Sequence, residues 1–219
     1  MLTWDGHALL YSKTEGGCLH RRDTRRGSSH MSLRYVIATG FLLSLIGLLA
    51  LRDGAKTFDL DGRPVDPLAT ETAATVLVFV GTDCPISNRY APEIQRLSTR
   101  YQRDGVQFFL VYVDPQLSSA AIRQHLLQFA YNLPALRDPE HAVVARSEAL
   151  VTPQVAVFNA DDHLVYSGRI DDRYLDFGQQ RHAARTRDLE DALQAVLSGQ
   201  QPAQARTRAI GCYIADLKE

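Results

Sequence analysis

The stretch that decides the fold is residues 75–101, TVLVFVGTDCPISNRYAPEIQRLSTRY. Its opening run, Thr75 to Gly81, is continuously β-branched and aromatic, which predicts a strand buried on both faces of a sheet. Apolar residues at helical spacing follow, and Gly105 predicts where that helix ends. Proline is favoured at the first helical position, so Pro85 places Cys84 at the N-cap. The sequence therefore predicts a buried strand that leads directly into a helix with a cysteine at its start.

A cysteine in this position is expected to be reactive. The free N–H groups of the first helical turn and the positive end of the helix dipole both favour a thiolate over a thiol. Asp83 opposes this effect, because a neighbouring carboxylate favours the neutral thiol, but its side chain is free to turn towards water. We predict that Cys84 is an exposed nucleophile and not a small buried apolar residue.

The elements on either side alternate between strand and helix. Asp61-Gly62 predicts a turn within a short hairpin, and Asn159 to His163 predicts a second hairpin turn. The predicted elements are the hairpin over 56–68, strands over 106–113, 155–158 and 164–170, and helices from Ser118 or Ser119, over 139–149 and over 188–197. This order predicts an α/β domain with a central mixed sheet and helices on both faces.

The N-terminal part of the chain predicts a membrane anchor. Residues 35–51, YVIATGFLLSLIGLLAL, carry no charge and are bracketed by Arg34 and Arg52. Arginines crowd the upstream side, so the positive-inside rule gives a single-pass transmembrane signal-anchor over 31–54 in the cell membrane. The domain then faces the extracytoplasmic (periplasmic) side. A cleaved signal peptide is the alternative, because Met31 is a second possible start.

The remaining segments complete the predicted organisation. Residues 1–30 show no period that would build a packed element, and we interpret them as a disordered or mis-assigned leader. The globular domain is assigned to 56–199 and a C-terminal tail to 200–219. The chain has 24 Lys and Arg against 25 Asp and Glu, so the basic footprint of a nucleic-acid binder is missing. If residues 1–30 are set aside, the remaining cysteines are Cys84 and Cys212. Both are expected on the extracytoplasmic side, where disulfides persist.

Two motifs resemble the thioredoxin family. Cys84-Pro85-Ile86-Ser87 followed by Ala91-Pro92 is similar to the thioredoxin active-site helix, and Ser87 stands where that family has its second cysteine. Val151-Thr152-Pro153 is similar to the loop whose cis-proline faces the active-site cysteine, and cis X-Pro bonds are uncommon elsewhere. The resemblance implies a thioredoxin-like three-layer sandwich with Cys84, Pro85, Ser87, Thr152 and Pro153 at its active site.

A narrower resemblance covers roughly residues 56–215. DCPISNRYAPEI, GRIDDRY and the terminal Gly211-Cys212-Tyr213-Ile214 resemble membrane-anchored bacterial redoxins of the alkyl hydroperoxide reductase and thiol-specific antioxidant type. This implies a thiol–disulfide oxidoreductase whose partners are protein or small-molecule disulfides, thiols or peroxides, with no cofactor and no resident metal. Peroxiredoxins have a threonine and an arginine where Gly81 and Thr152 stand, which argues against peroxidase activity.

With Ser87 in place of a local second thiol, Cys84 needs another group to resolve a mixed disulfide. Cys212 is the candidate, because the polar stretch Gln200 to Arg208 could carry it back over the surface. The alternative is an unrelated tail cysteine.

Two other functions remain open. One is copper handling, in which Cys84 and Cys212, with or without His182, hold a cuprous ion, although Asn88 stands where copper-delivering relatives have their second cysteine. The other is a catalytically idle docking module, which an inaccessible Cys84 sulfur would favour.

Two further sets of polar residues are expected on the surface. Four histidines lack the spacing of metal ligands: His125, His141, His163 and His182. Four residues of one loop are expected to form a solvated, mutually paired cluster: Arg169, Asp171, Asp172 and Arg173.

Overall fold

The computed structural model describes residues 57–69 and 71–215. The predicted leader (1–30) and the predicted anchor (31–54) lie outside these ranges, as do residues 216–219. Within the described residues, no helix combines the length and the apolar character that crossing a membrane requires.

A mixed seven-stranded sheet forms the centre of the domain. Its strands are β1 (Thr57–Phe58), β2 (Pro64–Val65), β3 (Ala74–Val80), β4 (Val106–Tyr112), β5 (Ala135–Arg137), β7 (Gln154–Asn159) and β8 (Leu164–Gly168). Across the sheet they lie in the order β2-β1-β5-β4-β3-β7-β8. The short strands outside it are β6 (Val151–Thr152), β9 (Tyr174–Asp176), β10 (Gln179–Gln180) and β11 (Cys212–Tyr213). The helices are α1 (Pro85–Tyr101), α2 (Ser119–Gln128), α3 (Ala142–Ser147) and α4 (Asp188–Leu197).

Strand β3 lies in the middle of this sheet and is buried along its whole length. It runs parallel to β4, with Val80 opposite Tyr112, and antiparallel to β7, with Phe79 opposite Gln154. Because β3 has neighbours on both edges and helices over both faces, every side chain is apolar or β-branched, as the sequence predicts. The strand ends at Val80, and the loop 81–84 delivers the chain to α1.

Alternate side chains of β3 enter two separate cores. Val76, Val78 and Val80 pack with α1, α2 and α4, whereas Leu77 and Phe79 pack with α3 on the other face. The predicted thioredoxin-like fold, a mixed sheet with helices on both faces, is confirmed.

Helix α1 begins at Pro85 with Cys84 as its N-cap, as predicted. Its apolar stripe is buried against β3 and β4, and a short 3₁₀ turn, Gln102–Asp104, extends it to Gly105. Gly105 has φ +77°, the left-handed conformation that suits glycine at a helix end. The chain then enters β4 directly.

Several elements differ from the sequence-based expectation. Strand β5 has only three residues, too few for a periodic pattern, and it was not predicted. Helix α3 is limited to Ala142–Ser147, and β8 ends at Gly168, before the predicted Ile170. The N-terminal hairpin forms as predicted, but it joins the main sheet because Phe58 pairs with Arg137 of β5.

Candidate active site

Cys84 lies at the junction of β3 and α1, but it is not exposed. Its exposed fraction is 1%, so the prediction of an accessible sulfur is wrong. The junction is tight: the Cys84 N–H donates to Gly81 O at 3.4 Å, and the Asn88 N–H donates to Cys84 O at 3.0 Å. The C-terminal tail, which the sequence predicted could reach back over the surface, contributes the Cys212 sulfur that contacts Cys84.

The covering segment is residues 209–215, here called the strap. Within it, β11 pairs antiparallel with β6, so that Cys212 lies opposite Thr152 and Tyr213 opposite Val151. The Ile214 N–H donates to Leu150 O at 3.0 Å, and the Ile214 side chain is buried against the core next to α3. Side chains alternate along a strand, so Tyr213 points away into solvent and Cys212 points to Cys84.

The two sulfur atoms are in contact. The Cys212 thiol donates to Cys84 Sγ with the sulfurs 3.0 Å apart, and both cysteines are free. They are separated by 128 residues in the chain. The strap therefore brings together the two cysteines that the sequence singled out.

The two thiols differ in acidity. Burial raises the pKa of Cys84, but hydrogen bonds from the Cys212 thiol, from Ser87 and from the Cys212 backbone outweigh it, and the pKa falls below its ordinary value. Burial, the hydrogen bond to Cys84 and the charges of Cys84 and Asp83 raise the pKa of Cys212 to about 12. Cys84 is therefore the thiol that ionises more readily, and Cys212 is the protonated thiol that donates a hydrogen bond to it. The charge of Asp83, which the sequence suggested would act on Cys84, is among the causes that raise the pKa of Cys212.

The loop before β7 contacts the sulfur from another side. The Thr152–Pro153 peptide bond is cis, which confirms the prediction. In its neutral form, the Cys84 thiol donates to Thr152 O at 2.9 Å, a contact that opposes ionisation. Ser87 is fully buried, and its Oγ accepts the Gly81 N–H at 3.4 Å. Ser87 therefore bonds to the loop behind the cysteine, whereas Pro85 is exposed at the first helical position.

The tail before the strap is fixed to the edge of β8. The Ser167 N–H donates to Ala205 O at 3.0 Å, and the Thr207 N–H donates to Ser167 O at 3.2 Å. Thr207 Oγ1 also bonds Tyr166 OH at 2.6 Å and accepts the Arg169 N–H at 3.1 Å. These contacts set the position from which the strap reaches β6.

Comparison with known proteins gives the family. The redoxin family model matches residues 50–177, more than half of the chain. The chain belongs to the redoxin family. A search of curated proteins finds no match to it.

Solved structures share the fold of this redoxin. An uncharacterized conserved protein from Geobacillus kaustophilus is 26% identical, with a TM-score of 0.62, over 76% of this chain and 92% of that one. A hypothetical protein from Sinorhizobium meliloti 1021 is 20% identical, with a TM-score of 0.61, over 76% of this chain and 94% of that one. The chain is therefore similar in fold, over 76% of its length, to each of these two proteins.

Sequence reasoning missed one part of the redoxin's site. His125 was expected on the surface, but it is 4% exposed and lies behind the start of α1. Its Nε2 is 2.8 Å from Asn88 Oδ1, and its Nδ1 is 2.8 Å from Tyr112 OH. The only signal in the sequence is that His125 follows Ile122 by three residues, on the buried side of α2. Of the other three histidines, His141 is half-buried with Nε2 2.9 Å from Val113 O, and His163 and His182 are exposed.

The charged loop after β8 is paired but not solvated. Asp171 and Asp172 are 3% and 6% exposed, which contradicts the expected solvated cluster. Asp171 accepts a short hydrogen bond from Tyr90 OH and pairs with Arg173 at 3.5 Å. Asp172 pairs with Arg181 at 3.2 Å. This loop contacts α1 through the bond between Asp171 and Tyr90.

The structure does not assemble the three-ligand copper site considered for this redoxin. Among the described residues, no three His, Cys, Asp or Glu side chains are grouped as a metal site requires, so His182 does not join the two sulfurs. A groove of about 1240 Å³ lies beside the strap, with the exposed side chains of Leu150, Phe177 and Tyr213 on its walls. Neither cysteine lines it, so the chemistry of this site lies in the sulfur pair and not in the groove.

Proposed function

We propose that this redoxin is a thiol–disulfide oxidoreductase in which Cys84 is the nucleophile and Cys212 is the resolving thiol. The observation that carries the proposal is the contact between the two sulfurs, with the pKa of Cys84 lowered and that of Cys212 raised. A thiolate beside a protonated thiol is the arrangement that thiol–disulfide exchange starts from.

The reaction takes place in two exchanges. The Cys84 thiolate attacks one sulfur of a substrate disulfide, forming a mixed disulfide and releasing the first substrate thiolate. Cys212 then gives up its proton and attacks Cys84 Sγ, so that the Cys84–Cys212 disulfide forms and the second substrate thiolate leaves. Two electrons pass from the protein to the substrate, and an external thiol restores the reduced pair. The reverse sequence oxidises a substrate dithiol.

The strap imposes a condition on this cycle. Because Cys84 is 1% exposed and its sulfur contacts Cys212 of the strap, a substrate is expected to reach it when β11 separates from β6. Closure afterwards returns Cys212 to the attacking position. The strap thus holds the resolving thiol next to the nucleophile, although α1 has no second cysteine. Ser87, at the position of that second cysteine, accepts a hydrogen bond from the Gly81 N–H.

A single-turnover experiment with oxidised glutathione tests the assignment. The reduced wild-type chain is expected to release two equivalents of glutathione and to form a Cys84–Cys212 link, identified by mass spectrometry of peptides without reduction. Cys212→Ser should stop at a glutathione adduct on Cys84, and Cys84→Ser should not react. Normal turnover by Cys212→Ser, or a link that involves Cys18, would contradict the resolving role.

Three further measurements on the same protein distinguish the competing functions. If Cys84 resists alkylation in the native protein, the idle docking module is favoured. Tight one-to-one binding of cuprous ion in an anaerobic titration would favour copper handling. A reaction with hydrogen peroxide as fast as that with disulfide would favour a peroxidase, despite Gly81 and Thr152 at the two diagnostic positions.

The cellular setting is part of the proposal. Residues 35–51 act as a single-pass anchor that holds the domain on the extracytoplasmic side, where disulfides persist. The test is carbonate extraction of membranes together with protease treatment of spheroplasts. Release of the chain by carbonate, or protection of the domain from protease in intact spheroplasts, would contradict it.

A further inference from the structure

Asn88 bonds to the chain on both sides of the nucleophile. Its backbone N–H donates to Cys84 O at 3.0 Å, and its side-chain Nδ2 donates to Thr82 O at 3.0 Å. The residue therefore fixes the loop two positions before the cysteine as well as the carbonyl of the cysteine itself. No other described side chain donates a hydrogen bond to the Thr82 carbonyl.

His125 sets the orientation of the Asn88 amide. Because Nδ2 of Asn88 donates to Thr82 O, its Oδ1 must accept, so the proton of His125 is on Nε2. Nδ1 is then unprotonated and accepts from Tyr112 OH. A neutral imidazole satisfies all three partners, which agrees with burial lowering the pKa of His125.

The histidine is itself held in place. Its ring packs against Phe129, with centroids 4.7 Å apart, and edge-on against Tyr112 at 5.7 Å. A buried ring with both nitrogens bonded has one orientation, and it transmits that orientation to the amide beside it.

We propose that Asn88 and His125 are positioning residues for the nucleophile: His125 orients the Asn88 amide, and that amide fixes the loop that carries the Cys84 sulfur to the start of α1. The inference rests on the proposed role of Cys84. It assigns a function to two residues that touch neither substrate nor sulfur. The Cys84 sulfur keeps its contact with Cys212 and its place beside Ser87 only while the loop keeps its present path.

Alkylation of Cys84 as a function of pH tests the proposal in the full-length reduced chain. Mass spectrometry of the Cys84 peptide gives the rate, the midpoint of the profile reports the thiolate equilibrium, and the plateau reports access. Asn88→Ala is expected to move the midpoint upwards and to slow alkylation below it about fivefold, the equilibrium factor of one buried hydrogen bond. His125→Leu should have an effect of the same size.

Two comparisons distinguish positioning from general stability. His125→Gln keeps a donor for Asn88 Oδ1 and should restore most of the wild-type midpoint. The double variant, His125→Leu with Asn88→Ala, should shift the alkylation midpoint no further than either change alone, because the histidine acts through the amide. Glu190→Gln is the control: Glu190 is 5% exposed and accepts from Arg96 at 3.1 Å, so its loss lowers stability without contacting the loop.

An unchanged midpoint in both Asn88→Ala and His125→Leu would overturn the proposal, as would additive effects in the double variant. A midpoint shift in Glu190→Gln of the same size would also overturn it. The readout needs no substrate, so failure of the disulfide exchange reaction would leave this result interpretable by itself.

Discussion

Gly211→Ala is the most direct test of the closed strap. A Cβ on Gly211 would lie 2.1 Å from Thr152 O, 2.6 Å from Thr152 C and 3.0 Å from Pro153 N. These are backbone atoms of the loop that contacts Cys84, so no flexible side chain can move aside. The φ of Gly211 is outside the left-handed region, so the effect is purely steric.

The size of the effect follows from what holds the strap. Its stabilising contacts are the two-residue β11–β6 pair, the Ile214 N–H to Leu150 O hydrogen bond and the burial of Ile214. Forcing a methyl group into a packed contact costs about 1–3 kcal/mol. Since the clash exists only in the closed state, the open population should rise by roughly five- to 150-fold.

The assay is labelling of Cys84 by a bulky maleimide under native conditions, followed by mass spectrometry of the Cys84 peptide. Gly211→Ala should label faster by the factor given above, and it should form the Cys84–Cys212 disulfide more slowly when oxidised. Tyr213→Ser is the matched control, because Tyr213 belongs to the same strand but is 83% exposed. Labelling of Gly211→Ala at the wild-type rate would refute the closed strap.

Two further changes separate local from global effects on the nucleophile. Cys212→Val keeps a side chain over Cys84 but removes the thiol donor that lowers the pKa of Cys84, so the alkylation midpoint of Cys84 should move to higher pH. Cys212→Ser keeps an O–H donor and should move the midpoint less. Equal midpoints in the two variants would show that the hydrogen bond has no part in the thiolate equilibrium. Leu193→Ala removes a fully buried side chain of α4 and should lower the free energy of unfolding in urea by about 2–5 kcal/mol, with an unchanged Cys84 midpoint. A midpoint that moves with stability would mean that global packing, and not the loop, controls the sulfur.

The parts of the fold that were predictable are those with a local cause. The apolar run of β3, the helical stripe of α1 and the proline at its start each specify their structure through neighbours in the chain. Strands β5, β6 and β11 were not predictable in this way. They have two or three residues each, too few for a period, and they exist because a partner strand presents its edge to them.

The same division applies to the active site. The sequence singled out Cys84, Pro153 and Cys212, and the cis peptide bond at Pro153 is confirmed. It gave the wrong exposure for Cys84 and the wrong environment for His125. Both errors arise from contacts over large separations: His125 is 37 residues from Asn88, and Cys212 is 128 residues from Cys84.

By itself, the sequence determined that a cysteine begins a helix at the end of a buried strand, because cap and strand preferences act over a few residues. Only the tertiary structure decided which groups surround that sulfur. A pKa depends on burial and on donors within a few ångströms, whatever their position in the chain. The pairing of β11 with β6 brought the second thiol to Cys84, and no local pattern in residues 200–215 encodes that contact.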